Sequence, residues 1–159
     1  MATHLKNLSD FSHIEISSAR TLRFAILKAQ WHANITNALQ KGAYESLKEH
    51  GALDEDIINI SVPGSYELIS AANMLLESEQ VDAIICLGCV IQGETRHFDF
   101  ICQAVADGIT NVSLKYNKPV IFGVLTPNTQ EQAMDRAGGK HGNKGDEAAI
   151  TAIKMLAIN

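Results

Sequence analysis

Apolar segments alternate with segments of helical periodicity along most of this 159-residue chain, and that alternation restricts its fold more than any other feature. The apolar segments cover residues 22–29, 56–62, 81–91 and 119–125. Each has the length of a buried strand and is far shorter than the roughly 20 residues that a membrane span requires. Between them, apolar side chains recur at every third or fourth position, as on one face of a helix. Strands and helices that alternate in this way predict a parallel sheet with helices on both faces.

The predicted fold class is therefore α/β, a three-layer α/β/α sandwich with a mainly parallel four-stranded sheet of the flavodoxin-like kind. The first helix is expected to carry Ile35 and Leu47 on its apolar face, with Asn34 as N-cap and Gly51 beyond its end. The region 129–159 predicts two helices that are separated by the segment GGKHGNKG.

The N-terminal residues 1–20 are predicted to form an arm, in which Ile14 and Ile16 alternate with polar residues as in a short strand. The arm lacks the apolar core of a secretion signal. The length of the chain and the absence of a compositional break predict one domain over residues 1–159.

Composition excludes several classes of function. The net charge is -5 and the basic residues are scattered, which argues against nucleic acid as a partner. Apolar residues make up 46% of the chain and none of their runs is long enough for a bilayer, so no membrane association is expected. Cys86, Cys89 and Cys102 lack the paired spacing of zinc ligands or of a disulfide framework. They predict reduced thiols, no bound metal and a cytoplasmic location.

Polar and aromatic residues follow every predicted strand. The sequence reads QWHAN after the first strand, PGSYE after the second, QGETRHF after the third and TPNT after the fourth. Because the carboxyl ends of parallel strands meet at one edge of the sheet, these segments are expected to lie together. The sequence thus predicts a ligand-binding site at that edge.

The segment GETRH, residues 93–97, lies where the third strand passes into a helix. Free main-chain amides at the start of a helix suit a phosphate or a carboxylate, and Thr95 adds a hydroxyl. Capping of the helix by Thr95 is the alternative, and the two roles are compatible. His97 has two interpretations, a packing histidine or a proton carrier.

Three further features have both a structural and a functional interpretation. The segment GGKHGNKG, with Arg136 just before it, offers cations to a phosphate, but it lacks Walker A spacing, and the pattern alone slightly favours solvated charge at a helix end. Trp31, the only tryptophan, is either a stacking platform for a planar ligand or a core or interface residue. Glu67 either opposes the dipole of the second helix or binds ligand hydroxyls.

Four segments together carry a resemblance to a known family. They read VPGSYE, GCVIQGETRHFDF, PVIFGVLT and EQAMDRAGGKHGNKGDEAA, in this order. In sequence and spacing the chain resembles lumazine synthase, the penultimate enzyme of riboflavin biosynthesis, from about Arg23 to its end. The N-terminal arm has no matching motif.

The resemblance implies a transferase that works without a cofactor. The family condenses 5-amino-6-(D-ribitylamino)uracil with 3,4-dihydroxy-2-butanone 4-phosphate, giving 6,7-dimethyl-8-ribityllumazine, phosphate and water. A flavodoxin-like FMN carrier is the rival function on the same kind of sheet, but QWHANIT is not rich in Ser, Thr and Gly as its phosphate loop should be. A structural shell protein without chemistry is the other rival.

The resemblance also implies a role for each site residue. The family's proton-transfer residue matches His97, and the phosphate would bind to the amides of Glu94 and Thr95 and to Arg136. The remaining matches contact the pyrimidine ring or the ribityl chain: they are Trp31, Ser65, Tyr66, Glu67, Cys89, Val90, Ile91, Lys144 and, from a neighbouring subunit, Phe122.

Family sites are completed by an adjacent subunit, so the resemblance implies a homo-oligomer, with a pentamer as the smallest assembly. Some members form a hollow 60-mer of twelve pentamers, and these have a short GGKHGNKG-type connection like the one in this chain.

At four positions the chain differs from the residue that is common in the family. Trp31 stands where phenylalanine is usual, His32 replaces a frequent asparagine, Gln92 a frequent arginine and Arg96 a frequent proline. We hypothesise that Arg96 restores near the phosphate the positive charge that Gln92 omits.

Overall fold

A four-stranded parallel sheet forms the centre of the computed structural model, which describes residues 7, 9–12, 15–78 and 80–158. Its strands are β1 (Phe24–Ala29), β2 (Ile57–Val62), β3 (Ala83–Cys89) and β4 (Val120–Leu125). They lie in the order β2-β1-β3-β4, and every neighbouring pair is parallel. The predicted fold class is confirmed, with strands slightly shorter than the apolar segments that predicted them.

Helices cover both faces of the sheet. They are α1 (Ala33–Glu49), α2 (Glu67–Ser78), α3 (His97–Tyr116), α4 (Gln130–Asp135) and α5 (Lys144–Leu156). Side chains of β1 alternate between the two faces, as the period of a strand requires. Phe24 and Ile26 pack with α1 and α5, whereas Ala25 and Leu27 pack with α2 and α3. Every residue of β3 is buried, because this strand lies inside the sheet and has helices on both sides.

The start of α1 corrects one prediction. Its N-cap is His32 rather than Asn34, because the carbonyl of His32 accepts the first helical hydrogen bonds from Ile35 and Thr36. His32 adopts the left-handed conformation with φ 56°, and its side chain makes no capping bond. The end of the helix is as predicted, with Gly51 at φ 99° just beyond it.

The segment GGKHGNKG forms a small antiparallel hairpin of β5 (Ala137–Gly139) and β6 (Gly142–Asn143) between α4 and α5. The two predicted helices are present, but the hairpin between them was not expected. Gly138 and Gly142 have φ of 102° and 83°, values that glycine adopts without the penalty of a Cβ. Asn143 then caps α5, because its side chain accepts a hydrogen bond from the N–H of Gly145 at 2.8 Å.

The described part of the N-terminal arm contains no strand. Ile14 lies outside the described residues, and residues 15–19 are not in a strand, so the strand predicted there is wrong for that part. The physical reason is that this segment runs over the end of α1, where the buried Ala19 donates a hydrogen bond to the carbonyl of His50 at 2.8 Å. Among the described residues, no helix combines the length and the apolar character needed to cross a bilayer.

Candidate active site

A first pocket opens at the carboxyl ends of β1, β2 and β3, as predicted. Its volume is about 470 Å³. Eight of the predicted site residues line it together, joined by His32, Gly64 and Ile101: they are Trp31, Ser65, Tyr66, Glu67, Cys89, Val90, Ile91 and His97. The parallel sheet is what brings these distant segments to one edge.

Aromatic side chains and a carboxylate form the outer wall of this pocket. The indole of Trp31 is 70% exposed, and Tyr66 is 52% exposed. A Cβ at Gly64 would lie 3.4 Å from Trp31 Cδ1 and 2.9 Å from Glu67 Oε2. The glycine therefore allows the indole and the carboxylate to approach the same stretch of backbone.

The inner wall contains Ser65 and Cys89. Ser65 Oγ is the only buried side-chain oxygen or nitrogen among the described residues without a hydrogen-bond partner. Burial raises the pKa of Cys89 to about 11, so this thiol is neutral at physiological pH and is not a nucleophile. The N–H of Val90 already donates to the carbonyl of Leu125 at 2.8 Å, which leaves only its carbonyl and side chain for a ligand.

The loop between β3 and α3 forms the rim near His97. Residues 92–97 are all exposed. The N–H of His97 donates to Thr95 Oγ1 in a long bond of 3.4 Å, and the N-cap of α3 is Arg96 rather than Thr95. The guanidinium of Arg96 lies 5.5 Å from the centre of the Phe100 ring. Glu94 and Thr95 line neither the first pocket nor the pocket that contains Arg136, so the single chain does not bring them together with Arg136 in one pocket.

A second pocket, of about 490 Å³, lies beside the hairpin. It contains two of the predicted cations, Arg136 and Lys144, together with Lys140 and His141. Asp135 holds the ammonium group of Lys140 at 2.8 Å. No residue lines both pockets, so within one chain the cations are separated from the imidazole of His97.

Glu147 organises the cations of the second pocket. It accepts a bond from Arg136 Nη2 at 2.6 Å and another from Lys144 Nζ at 3.2 Å. Arg136 Nη1 donates to the carbonyl of His141 at 2.6 Å. The side chains of Arg136 and Glu147 are each only 15% exposed, so the guanidinium is fixed before any ligand arrives. We call Arg136, Lys144 and Glu147 the cationic cluster, since two positive charges share one negative charge.

Sequence reasoning missed Glu147. The available signal was its position three residues after Lys144 at the start of a helix, the spacing at which opposite charges pair.

Phe122 lies on β4 and borders a smaller cavity of about 330 Å³. Lys144 lines this cavity as well as the second pocket. Phe122, Lys144 and Arg136 therefore belong to one region of the surface, and Trp31 belongs to another. Within the described residues, no three His, Cys, Asp or Glu side chains are grouped closely enough to hold a metal ion.

Comparison with known proteins agrees with the resemblance of the sequence motifs. Residues 21–159 match the family model of 6,7-dimethyl-8-ribityllumazine synthase. A protein of that name from Cytophaga hutchinsonii is 60% identical over 157 residues, which are 99% of this chain and 98% of the relative. Proteins of the same name from Porphyromonas gingivalis and Parabacteroides distasonis are 51% and 48% identical, each aligned over 98% of its own length and over 99% and 98% of this chain.

Proposed function

The chain belongs to the 6,7-dimethyl-8-ribityllumazine synthase family, and we propose that it catalyses the condensation that this name describes. The substrates are 5-amino-6-(D-ribitylamino)uracil and 3,4-dihydroxy-2-butanone 4-phosphate, and the products are the lumazine, phosphate and water. The protein is thus a transferase of riboflavin biosynthesis. We also assign it to the cytoplasm, in keeping with its three unpaired cysteines.

The first pocket suits the ribitylaminouracil. A flat heterocycle needs an aromatic surface, and the exposed indole of Trp31 offers one. A ribityl chain needs directional hydrogen bonds, which Glu67 can accept at the pocket wall. The unpartnered hydroxyl of Ser65 and the backbone around it support the same assignment.

The cationic cluster suits the phosphate of the second substrate. A guanidinium binds phosphate through two parallel bonds when its plane is fixed, and Glu147 and the His141 carbonyl fix that of Arg136. We assign the phosphate to Arg136 and to the exposed amides of Glu94 and Thr95, and Lys144 to the pyrimidine side.

Our proposal that two subunits share one active site rests on a single observation, the separation of the two pockets. Substrates that react with each other must bind together, yet His97 and Arg136 line different pockets of one chain. We therefore propose that the first pocket of one subunit faces the second pocket and Phe122 of its neighbour. The exposed apolar side chains of Trp31 and Phe100 favour such a contact.

A head-to-tail contact of this kind forms a closed ring when its rotation closes. We assign the protein to a homo-oligomer with a pentamer as its smallest active form, and a 60-mer of twelve pentamers is the larger assembly. Sedimentation or light scattering distinguishes the two.

The reaction consists of addition and elimination steps that need protons moved and no electrons supplied. The primary amine attacks the ketone to form a carbinolamine, which loses water to give an imine. Phosphate then leaves, and the ribityl-bearing nitrogen closes the ring with loss of another water. The imidazole of His97 takes up and returns protons during these steps.

Positioning accounts for a large share of the rate enhancement. Holding two reactants in the reactive geometry removes roughly 7 to 11 kcal/mol of the barrier. Proton transfer by a positioned side chain contributes a factor of about 10² to 10⁴.

The direct test mixes both substrates with the protein and follows lumazine absorbance together with phosphate release. We expect both signals to rise in parallel. An FMN carrier would instead be yellow as purified and inert towards the two substrates, and a structural shell protein would be colourless and inert.

Mixed oligomers test the shared site. H97A and R136A are each expected to be nearly inactive, and co-expression in equal amounts should restore about one quarter of the wild-type sites, because that share combines two intact halves. The matched control pairs H97A with E67A. Both changes affect the first pocket, so no site in that mixture regains two intact halves. Absence of recovery in the first mixture would refute a site shared between subunits.

A further inference from the structure

The N-terminal arm is bonded to the segment that carries the cationic cluster. Ser9 Oγ accepts a hydrogen bond from the main-chain N–H of Asn143 at 2.7 Å. It also donates one to the carbonyl of Asn143 at 2.9 Å. One hydroxyl thus pairs with both main-chain polar groups of a residue far away in the sequence.

The shape of the hairpin accommodates this contact. A Cβ at Gly142 would lie 2.5 Å from Ser9 Oγ and would clash with Asn7 Oδ1. The N–H of Ser9 donates to Asn7 Oδ1 at 3.0 Å, which holds the arm in a local turn beside Gly142. The arm therefore reaches Asn143 because glycine leaves room for it.

Asn143 connects the arm to the cations. Its Nδ2 donates to the carbonyl of Ala38 on α1 at 3.0 Å, and its Oδ1 caps α5. The next residue is Lys144, whose N–H donates to the carbonyl of Arg136 at 2.8 Å. The main chain at Asn143 thus sets where Lys144 starts α5 and where Arg136 is held.

We propose that Ser9 is a positioning residue for the cationic cluster and acts through Asn143. The inference rests on the proposed function, which assigns Arg136 and Lys144 to the two substrates. Without the Ser9 hydroxyl, the N–H of Asn143 loses its acceptor and the carbonyl of Asn143 loses the Ser9 donor. The start of α5 then gains conformational freedom, which substrate binding must remove. Substrate binding is therefore weakened, whereas proton transfer at His97 in the other pocket is unaffected.

Steady-state kinetics on three variants of the full chain test this role. S9A is expected to raise the KM of both substrates about three- to ten-fold while kcat stays within about two-fold of wild type. S9T keeps the hydroxyl and should restore the KM values. S12A is the matched control, since Ser12 Oγ bonds to Asp10 within the arm at 2.6 Å, and it should behave as wild type.

Amide hydrogen exchange gives a readout that does not depend on activity. In S9A the amide of Asn143 loses its acceptor, so its exchange is expected to become about ten-fold faster or more, while amides of β3 keep their protection. Equal exchange at Asn143 in S9A and wild type would overturn the contact itself.

The outcomes separate this inference from the proposed function. If S9A has the kcat and the KM values of the wild type, only the positioning role of Ser9 is refuted. The same holds for a loss of kcat at constant KM, or for KM values that rise equally in S12A. If the wild-type protein makes no lumazine, the proposed function is refuted, and the positioning role of Ser9 with it.

Discussion

The two pockets differ in how their polar groups are held. At the rim of the first pocket, residues 92–97 are exposed, and the N–H of His97 makes only a long bond of 3.4 Å to Thr95 Oγ1. At the second pocket, the side chain of Arg136 is largely buried and pairs at 2.6 Å with that of Glu147, which is equally buried. One region leaves its ionisable group open to solvent, and the other orients its cation in advance.

This difference corresponds to two kinds of chemistry. A guanidinium that binds phosphate gains from a fixed plane, because two parallel bonds must form together. A group that moves protons must take them up and release them in turn, so access is more important for it than a fixed partner. Four experiments, in order of decreasing expected effect, test this difference between the two pockets.

Loss of the His97 imidazole tests the exposed rim of the first pocket. We expect H97A to lower kcat about 10²- to 10⁴-fold and to leave substrate binding nearly unchanged, because the role we propose for His97 is proton transfer and not phosphate binding. Single-turnover kinetics and direct titration with a substrate measure the two effects. H97N, which keeps a polar side chain but cannot titrate, should lose the same factor. Loss of ligand binding in a folded H97A variant would contradict the assignment.

Loss of the Glu147 carboxylate, which Arg136 and Lys144 share, tests the second pocket. E147Q keeps the size of the side chain but removes the charge that fixes Arg136 and Lys144. We expect kcat/KM to fall about ten-fold, mainly through KM of the phosphorylated substrate. D135N is the control, since it releases the more exposed Lys140 and should change kcat/KM by less than about two-fold. Equal effects of the two changes would mean that Glu147 has no special role.

Removal of Arg96 tests whether the open rim also attracts phosphate. R96A is expected to raise KM of the phosphorylated substrate about three-fold, because a nearby exposed charge contributes weakly to binding. Adding Q92R to R96A should return KM to the wild-type value. An unchanged KM in R96A would dismiss the idea that Arg96 compensates for Gln92.

Removal of the negative charge of Asp146, beside the cationic cluster, is expected to have the smallest effect, and that effect is on stability. The pKa of Asp146 is raised to about 6, first by burial and then by the negative charges of Glu49, Glu147 and Glu45. A raised carboxyl pKa means that the folded state binds the proton more tightly than the unfolded state. Stability is therefore lost as pH rises from the ordinary value of about 4 through 6.

D146N removes that charge. Because Asp146 is only partly buried, we expect a gain on the order of 1 kcal/mol at pH 7.5, after allowance for solvent screening, and almost none at pH 4. Thermal unfolding at both pH values measures it, and D107N on the exposed face of α3 is the control. A gain in stability that is the same at both pH values would rule out ionisation as its cause.

Much of the architecture and half of the site follow from local pattern. The apolar segments predict the four strands because buried strands need apolar side chains on both faces. They also predict that Trp31, Ser65 and His97 share one edge, because parallel strands all end on the same side. The N-cap of α1 and the hairpin after Arg136 were not predictable in this way. Each depends on left-handed residues whose conformation the neighbouring packing selects.

By itself, the sequence determined the α/β/α layering and the family, and it named the side chains that we propose for the chemistry, since periodicity and motifs are local properties of the chain. Only the tertiary structure decided that Glu147 neutralises part of the charge of Arg136 and that Ser9 reaches Asn143. It also decided that His97 and Arg136 occupy separate pockets of one chain. These are distances between residues far apart along the chain, and they depend on how the helices and the hairpin pack against the sheet.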